Sequence, residues 1–221
     1  MEGFEQGGVA GDSYGGYAVV NAKAMMDPLT SEQIEVGAKL TLGDTLLTAA
    51  LFNIDKGLEY YDLSDVTKPK YVQDGRQVHR GFEFTATGKI TDKLTTMAGF
   101  TLLDPQVKEN KENPALEGKR PTEVSDKFAK LYLEYTPIES IDLAFNTGLN
   151  YTGSFYGDAM NTDKMPSYTL VNIGTRYTTK EMGCPLTFRV NINNLMDKEY
   201  WVNSNYLGDR RTIHASVQMK F

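Results

Sequence analysis

The chain has 221 residues, enough for one large domain or two small ones. Its formal net charge of −6, from 23 Lys and Arg against 29 Asp and Glu, argues against a nucleic-acid-binding protein, which would carry a basic patch. No stretch approaches about 18 consecutive apolar residues, which excludes a transmembrane helix. The single cysteine, Cys184, excludes an internal disulfide.

Nine segments alternate between apolar and polar residues, the pattern of β-strands whose two faces meet different surroundings. In chain order they cover residues 34–42, 45–54, 82–90, 94–102, 129–135, 141–152, 171–177, 186–193 and 212–221. The second segment is ambiguous because both of its faces carry apolar side chains. In the others, the charged residues lie on the face opposite to the apolar one. They are Glu35, Lys39, Glu83, Lys89, Lys130, Glu134, Asp142, Arg176, Arg189 and Lys220.

This segregation of charge favours a membrane protein. An Arg or Lys on a lipid-facing strand position costs on the order of 2–4 kcal/mol at the middle of the bilayer. Selection against that cost would produce apolar faces that carry no charge. A soluble antiparallel sandwich also has one apolar face per strand, so the alternation by itself leaves both folds open.

The connections between the segments differ in length. Short turns at 43–44, at 91–93, around Pro137 and around Gly183 alternate with long polar connections. The long connections cover residues 55–80, 103–126, 153–167 and 196–210. An up-and-down sheet built in this way has all its short turns at one edge and all its long loops at the other. Outer-membrane barrels have this asymmetry, with short periplasmic turns and long extracellular loops.

We therefore predict an all-β fold, an antiparallel up-and-down transmembrane β-barrel. Bacterial single-chain barrels have an even number of strands, and an open sheet in lipid would leave unpaired backbone groups at both edges. Nine strands thus indicate part of a larger barrel. Residues 1–33 are rich in Gly and irregular, so we predict an extracellular loop segment there and the C-terminal barrel part at 34–221. A signal-peptide pattern is lacking, so we expect a mature, processed or incomplete chain.

The C-terminal part contains a specific motif, in which residues 190–200 read VNINNLMDKEY and residues 208–212 read GDRRT. It resembles the C-terminus of TonB-dependent outer-membrane receptors, whose pattern is close to NxxNLFDKxYY, then GxPRT, then a terminal Phe. The matching residues are Asn194, Leu195, Asp197, Tyr200, Gly208, Arg211, Thr212 and Phe221. Met196 departs from the usual Phe and Arg210 from the usual Pro. Upstream, residues 4–8, 29–37 and 46–55 are similar to the siderophore-receptor branch.

This resemblance implies a 22-stranded barrel of the cell outer membrane that takes up ferric siderophores. It also implies an N-terminal plug domain and a TonB box, and both are absent from this sequence. The implied partners are outer-membrane lipid, the plug domain, the TonB energy complex and the barrel-assembly machinery, for which Phe221 would be the recognition signal. No resident cofactor and no metal site are implied, since the ferric siderophore is the transported ligand. We expect a fragment that does not transport alone.

The long loops carry aromatic and basic residues that could contact a ferric chelate. Trp201, Tyr206, Tyr156 and Arg211 are the candidates, and Arg80 and Arg120 could also meet an anionic siderophore. The alternative for the aromatic residues is the interfacial girdle of a barrel, and for the basic residues it is a solvated charge or a local ion pair.

Other functions remain open at this stage. The chain could belong to a receptor for haem, cobalamin or another nutrient, or to a porin-like barrel. From a different class, it could be a soluble β-sandwich adhesion module. Catalysis is not expected, because His79 and His214 lack the spacing of metal ligands and no phosphate-binding or dinucleotide motif occurs.

Overall fold

The computed structural model describes residues 2–138, 140–180 and 183–220, and the predicted all-β fold is confirmed. In this part of the chain there are fourteen strands and one short 3-10 helix, Pro114–Leu116. The strands are β1 (Glu2–Glu5), β2 (Ser13–Tyr14), β3 (Tyr17–Ala18), β4 (Leu29–Leu42), β5 (Thr45–Asp62), β6 (Lys70–Thr91), β7 (Leu94–Glu109), β8 (Lys127–Tyr135), β9 (Asp142–Thr152), β10 (Phe155–Tyr156), β11 (Lys164–Met165), β12 (Tyr168–Thr179), β13 (Leu186–Asn193) and β14 (Thr212–Met219).

Ten of these strands form one antiparallel sheet in the order β1-β4-β5-β6-β7-β8-β9-β12-β13-β14. Its neighbours in space are neighbours in sequence, apart from two small hairpins, β2–β3 and β10–β11, that stand outside the sheet. This is the up-and-down topology that the sequence predicts for part of a barrel. None of the helical structure in the described residues is long and apolar enough to cross a membrane.

The register of the strands merges the apolar sides into one continuous surface, which we call the apolar face. Val36 lies opposite Leu51, Leu51 opposite Phe82, and Phe82 opposite Leu102. Directly opposed residues of antiparallel strands point to the same side of the sheet. The register also resolves the ambiguity of β5, since it is Leu47, Ala49 and Leu51 that lie on the apolar face.

The apolar face is not covered by the described residues. Ile34 is 76% exposed, Val36 72% and Ile213 68%. An apolar surface of this extent is unstable in water, whereas hydrocarbon satisfies it. The sandwich alternative is wrong, because no second sheet within the described residues packs on these side chains.

The opposite side, which we call the polar face, carries the charged residues. Arg176 Nη1 lies 2.8 Å from Asp142 Oδ1, and its Nη2 lies 3.5 Å from Glu134 Oε1. The Tyr132 hydroxyl donates to Glu134 Oε2 at 2.9 Å. These residues are half-buried or exposed and come from β8, β9 and β12, so the polar face holds an ion-pair network that spans neighbouring strands.

Strands extend into two of the predicted long loops, and the first of these loops is largely strand. β5 continues to Asp62 and β6 starts at Lys70, so only residues 63–69 remain of the connection predicted at 55–80. β7 likewise continues to Glu109. Both faces of the β5 and β6 extensions carry polar residues. In the β7 extension, Leu103 and Val107 lie on the side opposite to the apolar face, so the apolar alternation of the preceding part does not continue there although the backbone ladder does. An ion pair between Arg76 and Asp55 bridges β6 and β5 in this region.

The sequence predicts a loop segment at residues 1–33, but the structure shows that part of this segment is strand. β1 lies within them and pairs with the start of β4, with Glu2 opposite Glu32 and Glu5 opposite Leu29. β4 itself begins at Leu29, before the predicted boundary at residue 34. The described sheet therefore has ten strands rather than nine. The short β1 and the start of β4 are mixed in polarity and exposed, so they give no amphipathic signal.

A charge introduced on the apolar face of β7 should destabilise the protein more than one on the polar face. Ala98 lies on the apolar face opposite Ala86 and Leu131, whereas Thr101 lies on the polar face opposite Glu83. We expect Ala98→Lys to lower the free energy of unfolding by about 2–4 kcal/mol, and Thr101→Lys by less than about 1 kcal/mol. Urea titration in phospholipid vesicles measures both. Equal losses would contradict a lipid-facing apolar surface.

Candidate functional site

Three loops converge at the edge of the sheet that carries the long connections. They are the loops after β7 (110–126), after β9 (153–167) and after β13 (194–211). Glu123 joins all three, because its Oε1 accepts hydrogen bonds from Ser204 Oγ at 2.6 Å and from Ser204 N at 3.2 Å. Its backbone N–H donates to the Tyr156 carbonyl at 2.8 Å. Hydrogen bonding by Ser204 also lowers the pKa of the Glu123 carboxyl, so the link is ionised at neutral pH.

Arg120 joins two of these loops, the one after β7 and the one after β9. Its Nη1 donates to the Ser154 carbonyl at 3.1 Å, and its Nη2 lies 3.0 Å from Asp126 Oδ2. Its guanidinium carbon sits 5.5 Å from the centre of the Tyr156 ring, within cation–π range. The Arg120 side chain is 21% exposed, so its charge is largely engaged within the loops.

Tyr156 stands on a short hairpin. It belongs to β10, which pairs with β11, and its neighbour Phe155 is 3% exposed and anchors the hairpin from inside. Asp158 closes the turn by accepting from Thr162 N at 2.8 Å and from Asp163 N at 2.6 Å. These backbone donors, that of Asp163 first, hold the pKa of the Asp158 carboxyl below its usual range. Tyr156 is thus half-buried on a hairpin that is held by Phe155 and by the Asp158 turn.

Trp201 and Tyr206 lie in the last loop, on an irregular hairpin. Trp201 pairs with Leu207 in an isolated bridge, and Val202 N donates to the Tyr206 carbonyl at 3.0 Å. Asn203 Oδ1 shapes the tip by accepting from Tyr206 N at 2.8 Å. Tyr206 is 69% exposed, whereas Trp201 is half-buried. Of the two, Tyr206 is the better placed to contact a ligand.

The C-terminal motif forms the base of this last loop. Asn194 is 4% exposed, and its Nδ2 donates to the carbonyls of Lys198 at 2.8 Å and Asp209 at 3.0 Å. Its Oδ1 accepts from Lys198 N at 2.8 Å. Asn194 also adopts a positive φ of 49°, which Asn tolerates better than most residues. One amide side chain therefore joins the two ends of the loop.

A second interaction, the ion pair of Arg210 and Asp197, closes the same loop. Arg210 binds Asp197 through two parallel bonds, from Nε to Oδ1 at 2.9 Å and from Nη2 to Oδ2 at 2.6 Å, and it also pairs with Glu199. Arg211 N donates to the same Asp197 carboxylate at 2.9 Å. Arg210 stands where the motif usually has Pro, so this chain replaces a rigid residue with an ion pair. The Arg210 guanidinium holds the pKa of Asp197 well below its usual range.

The remaining motif residues within the described part of the chain also make contacts within the protein. Leu195 N donates to the Val171 carbonyl at 2.7 Å, and Thr212 starts β14 opposite Asn193. The ring of Tyr200 lies over Gly208, where a Cβ atom would come within 2.0 Å of it, so only glycine fits there. Arg211 Nη1 donates to the Leu195 carbonyl at 3.3 Å, so this exposed ligand candidate is partly used inside the loop.

A second cluster, missed by the sequence reasoning, surrounds Glu59 on the extension of β5. Its carboxylate accepts from Gly8 N at 3.0 Å, from the Tyr71 hydroxyl at 3.0 Å and from Gln73 Nε2 at 2.7 Å. An aromatic stack adjoins it, with ring centres 4.8 Å apart for Tyr61 and Tyr71 and 4.2 Å apart for Tyr14 and Tyr61. The segment before β4 is fixed in this way over the ends of β5 and β6. The cluster joins residues about 50 positions apart, so only the fold reveals it.

The structure thus brings some of the predicted site residues together. Tyr156 and the loop that carries Trp201, Tyr206 and Arg211 are joined through Glu123, whereas Arg80 lies away from them on the apolar face. Phe221 lies outside the described residues. Among the residues that the structure describes, no group of three or more His, Cys, Asp or Glu could hold a metal ion.

Comparison with known proteins gives one consistent result. A family profile described as "TonB dependent receptor-like, beta-barrel" matches residues 2–195. The Ferrioxamine B receptor of Salmonella typhimurium is 28% identical over 207 residues, covering 89% of this chain and 29% of that protein. The Ferrichrome receptor FcuA of Yersinia enterocolitica is 30% identical over 220 residues, covering 94% of this chain and 28% of that protein.

A solved structure extends the likeness over the full chain. BauA, the ferric preacinetobactin receptor of Acinetobacter baumannii, superposes with a TM-score of 0.82 at 33% identity, covering 100% of this chain and 33% of that one. The chain therefore spans about three-tenths of the length of the curated relatives and a third of this structure.

Breaking the Asp197–Arg210 ion pair should loosen the last loop. Asp197 has a lowered pKa in the folded protein, so its stabilising effect is complete above the unfolded-state pKa of about 4 and is lost as the pH falls through the lower folded value. We expect Asp197→Asn to make the loop cleavable by protease at pH 7 several-fold faster. Limited proteolysis with mass spectrometry measures the rate. The matched control is Asp209→Asn in the same loop; equal acceleration by both would refute the assignment.

Proposed function

Because the chain belongs to the TonB-dependent receptor-like β-barrel family, we propose that it forms the C-terminal barrel part of a receptor that takes up ferric siderophores. The family places the chain in the cell outer membrane as a set of spanning β-strands. Curated relatives named as ferrioxamine and ferrichrome receptors, and a structure titled as a ferric preacinetobactin receptor, support ferric siderophores as the ligand class.

One observation carries the proposal on this chain itself. Three outer loops are tied together by Glu123, and they present Tyr156 and Tyr206 at the edge of the sheet with the long connections. The Tyr156 ring beside Arg120 and the exposed Tyr206 ring suit a large chelate, because rings offer contact area at little entropic cost and arginine adds charge-assisted bonds. Trp201 and Arg211 complete the proposed contact set.

The proposed partners follow from the same assignment. The ion-pair network of Arg176, Glu134 and Asp142 on the polar face would meet a plug domain inside the complete barrel. The TonB energy complex would act through that plug, and the barrel-assembly machinery would recognise Phe221. The ferric siderophore is the cargo and not a resident cofactor, and no catalytic residue enters the proposal.

Loss of the protein should abolish uptake of at least one ferric chelate. We expect a strain of the native host that lacks the gene to take up a ferric hydroxamate or ferric catecholate at less than about a tenth of the normal rate. Uptake of radioactive iron under iron limitation measures this, and it should be lost equally when the TonB gene is deleted. Unchanged iron uptake together with lost haem or cobalamin uptake would replace the proposed ligand class.

Removing the ring of Tyr156 or Tyr206 should weaken ligand binding. Tyr206→Ala and Tyr156→Ala should each raise the Kd for the ferric chelate by about tenfold, since a buried aromatic anchor commonly contributes 1–2 kcal/mol or more at an interface, by rough estimate. Titration of the protein purified from outer membranes measures the Kd. Val202→Ala, exposed in the same hairpin as Tyr206, should leave it unchanged. If Val202→Ala weakens binding as much as Tyr206→Ala does, the ring has no specific role.

A further inference from the structure

A cavity of about 270 Å³ lies between the loop after β7 and the strands below it, on the side of the polar face. Three neighbouring strands line it through Leu58 of β5, Gln77 of β6 and Val107 of β7, and Gln77 lies directly opposite Val107. The loop after β7 covers it with three apolar side chains, those of Leu116, Pro121 and Val124. The cavity is therefore mainly apolar, although it lies on the polar side of the sheet.

Hydrogen bonds hold the covering loop at its distance from the strands. Gly118 N donates to the Val107 carbonyl at 2.9 Å, and Val107 N donates to the Lys119 carbonyl at 2.8 Å. Lys111 Nζ lies 3.0 Å from Asp74 Oδ2 at the start of β6. Protein interiors are otherwise close-packed, and an apolar cavity lowers stability in proportion to its volume. A cavity that the fold keeps open at this cost points to an occupant.

Both charged residues of the lining are engaged elsewhere. Arg120 directs Nη2 to Asp126 Oδ2 at 3.0 Å and Nη1 to the Ser154 carbonyl at 3.1 Å. The Glu59 carboxylate accepts three hydrogen bonds from the neutral donors of its own cluster. A charged group that entered the cavity would lose its water without gaining an ionic partner, which is costly. The lining therefore favours an uncharged group.

The cavity adjoins the candidate site at Tyr156. Val107 at its base is 8% exposed, whereas Thr122 and Ala159 of the lining are exposed, so the cavity opens towards these two residues. Ala159 follows Tyr156 by three positions in the turn of the same hairpin. Arg120 lines the cavity and also lies 5.5 Å from the centre of the Tyr156 ring. A ligand in contact with Tyr156 could therefore extend one part of itself into the cavity.

We propose that this cavity binds one uncharged, ring-sized arm of the imported ferric chelate. An apolar protein cavity of about 150 Å³ accommodates benzene, so about 270 Å³ leaves room for a ring with a substituent. The ring would contact Leu58, Val107 and Val124, while the iron centre would stay outside the cavity beside Tyr156. The inference rests on the proposed function and specifies the chemistry of one part of the ligand.

The test uses the protein as its gene encodes it, purified from outer membranes in mild detergent. The probe is para-fluorobenzyl alcohol, an uncharged ring, and fluorine NMR measures the saturable part of its binding. Ala159→Phe places a ring at the opening of the cavity. Met160→Phe is the matched control, because Met160 is the next residue, is 43% exposed and does not line the cavity.

We expect the unsubstituted protein and Met160→Phe to bind the probe equally, and Ala159→Phe to bind it on the order of tenfold more weakly. The same ring with a carboxylate, para-fluorobenzoate, should bind to the unsubstituted protein on the order of tenfold more weakly than the alcohol. Three results would overturn the proposal. They are equal binding of the alcohol by the two variants, no saturable binding to the unsubstituted protein, and equal binding of the alcohol and the benzoate.

Iron uptake separates this inference from the proposed function. The radioactive ferric hydroxamate or catecholate that the deletion strain fails to take up should enter through Ala159→Phe on the order of tenfold more slowly, and through Met160→Phe at the normal rate. Normal uptake through both variants would overturn the assignment of the cavity to a ligand arm and leave the proposed function intact. If deletion of the gene affects no ferric chelate, the proposed function is wrong, and the probe still decides whether the cavity binds an uncharged ring.

Discussion

The structure depends on the pairing of backbone polar groups where no water can reach them. In hydrocarbon each unpaired N–H or C=O costs several kcal/mol, by rough estimate, so the chain must pass from strand to neighbouring strand in an unbroken ladder. In the order β1-β4-β5-β6-β7-β8-β9-β12-β13-β14, each strand of the sheet pairs with the next strand of the sheet along the chain, which satisfies this requirement. Because the ladder fixes which residues oppose each other, it also fixes which side chains meet lipid.

The same ladder determines where the charged and polar side chains lie on the two faces of the sheet. On the polar face, charges from separate strands come into register and form networks, as Arg176 does with Asp142 and Glu134. On the apolar face of the described strands, charged residues lie only towards the long loops, beginning at Arg80, Asp104 and Lys127. Beyond that level water is available again, and the loops fold on one another through single buried or half-buried polar residues such as Asn194 and Glu123.

The sequence offers candidate residues for the site but not the contacts that hold them in place. Aromatic and basic residues in long polar connections indicate ligand contact, and Tyr206 is indeed exposed there. The C-terminal motif identifies the family, and in the structure its residues Asn194, Asp197 and Tyr200 make contacts that close the last loop. The role of Glu59 could not be predicted from the sequence. A single acidic residue on a strand does not indicate the three hydrogen-bond donors that the fold brings to its carboxylate.

The sequence by itself determined the strands and their apolar sides, because period-2 alternation is a local property that lipid imposes on every spanning segment. It also determined the family, through a motif confined to about thirty residues of the C-terminus. Only the tertiary structure decided the extension of β5, β6 and β7, the pairing of β1, and the face of β5 that meets lipid. These features depend on partners distant in the chain. The extensions do not continue the apolar alternation of the spanning strands, so the sequence pattern does not predict them.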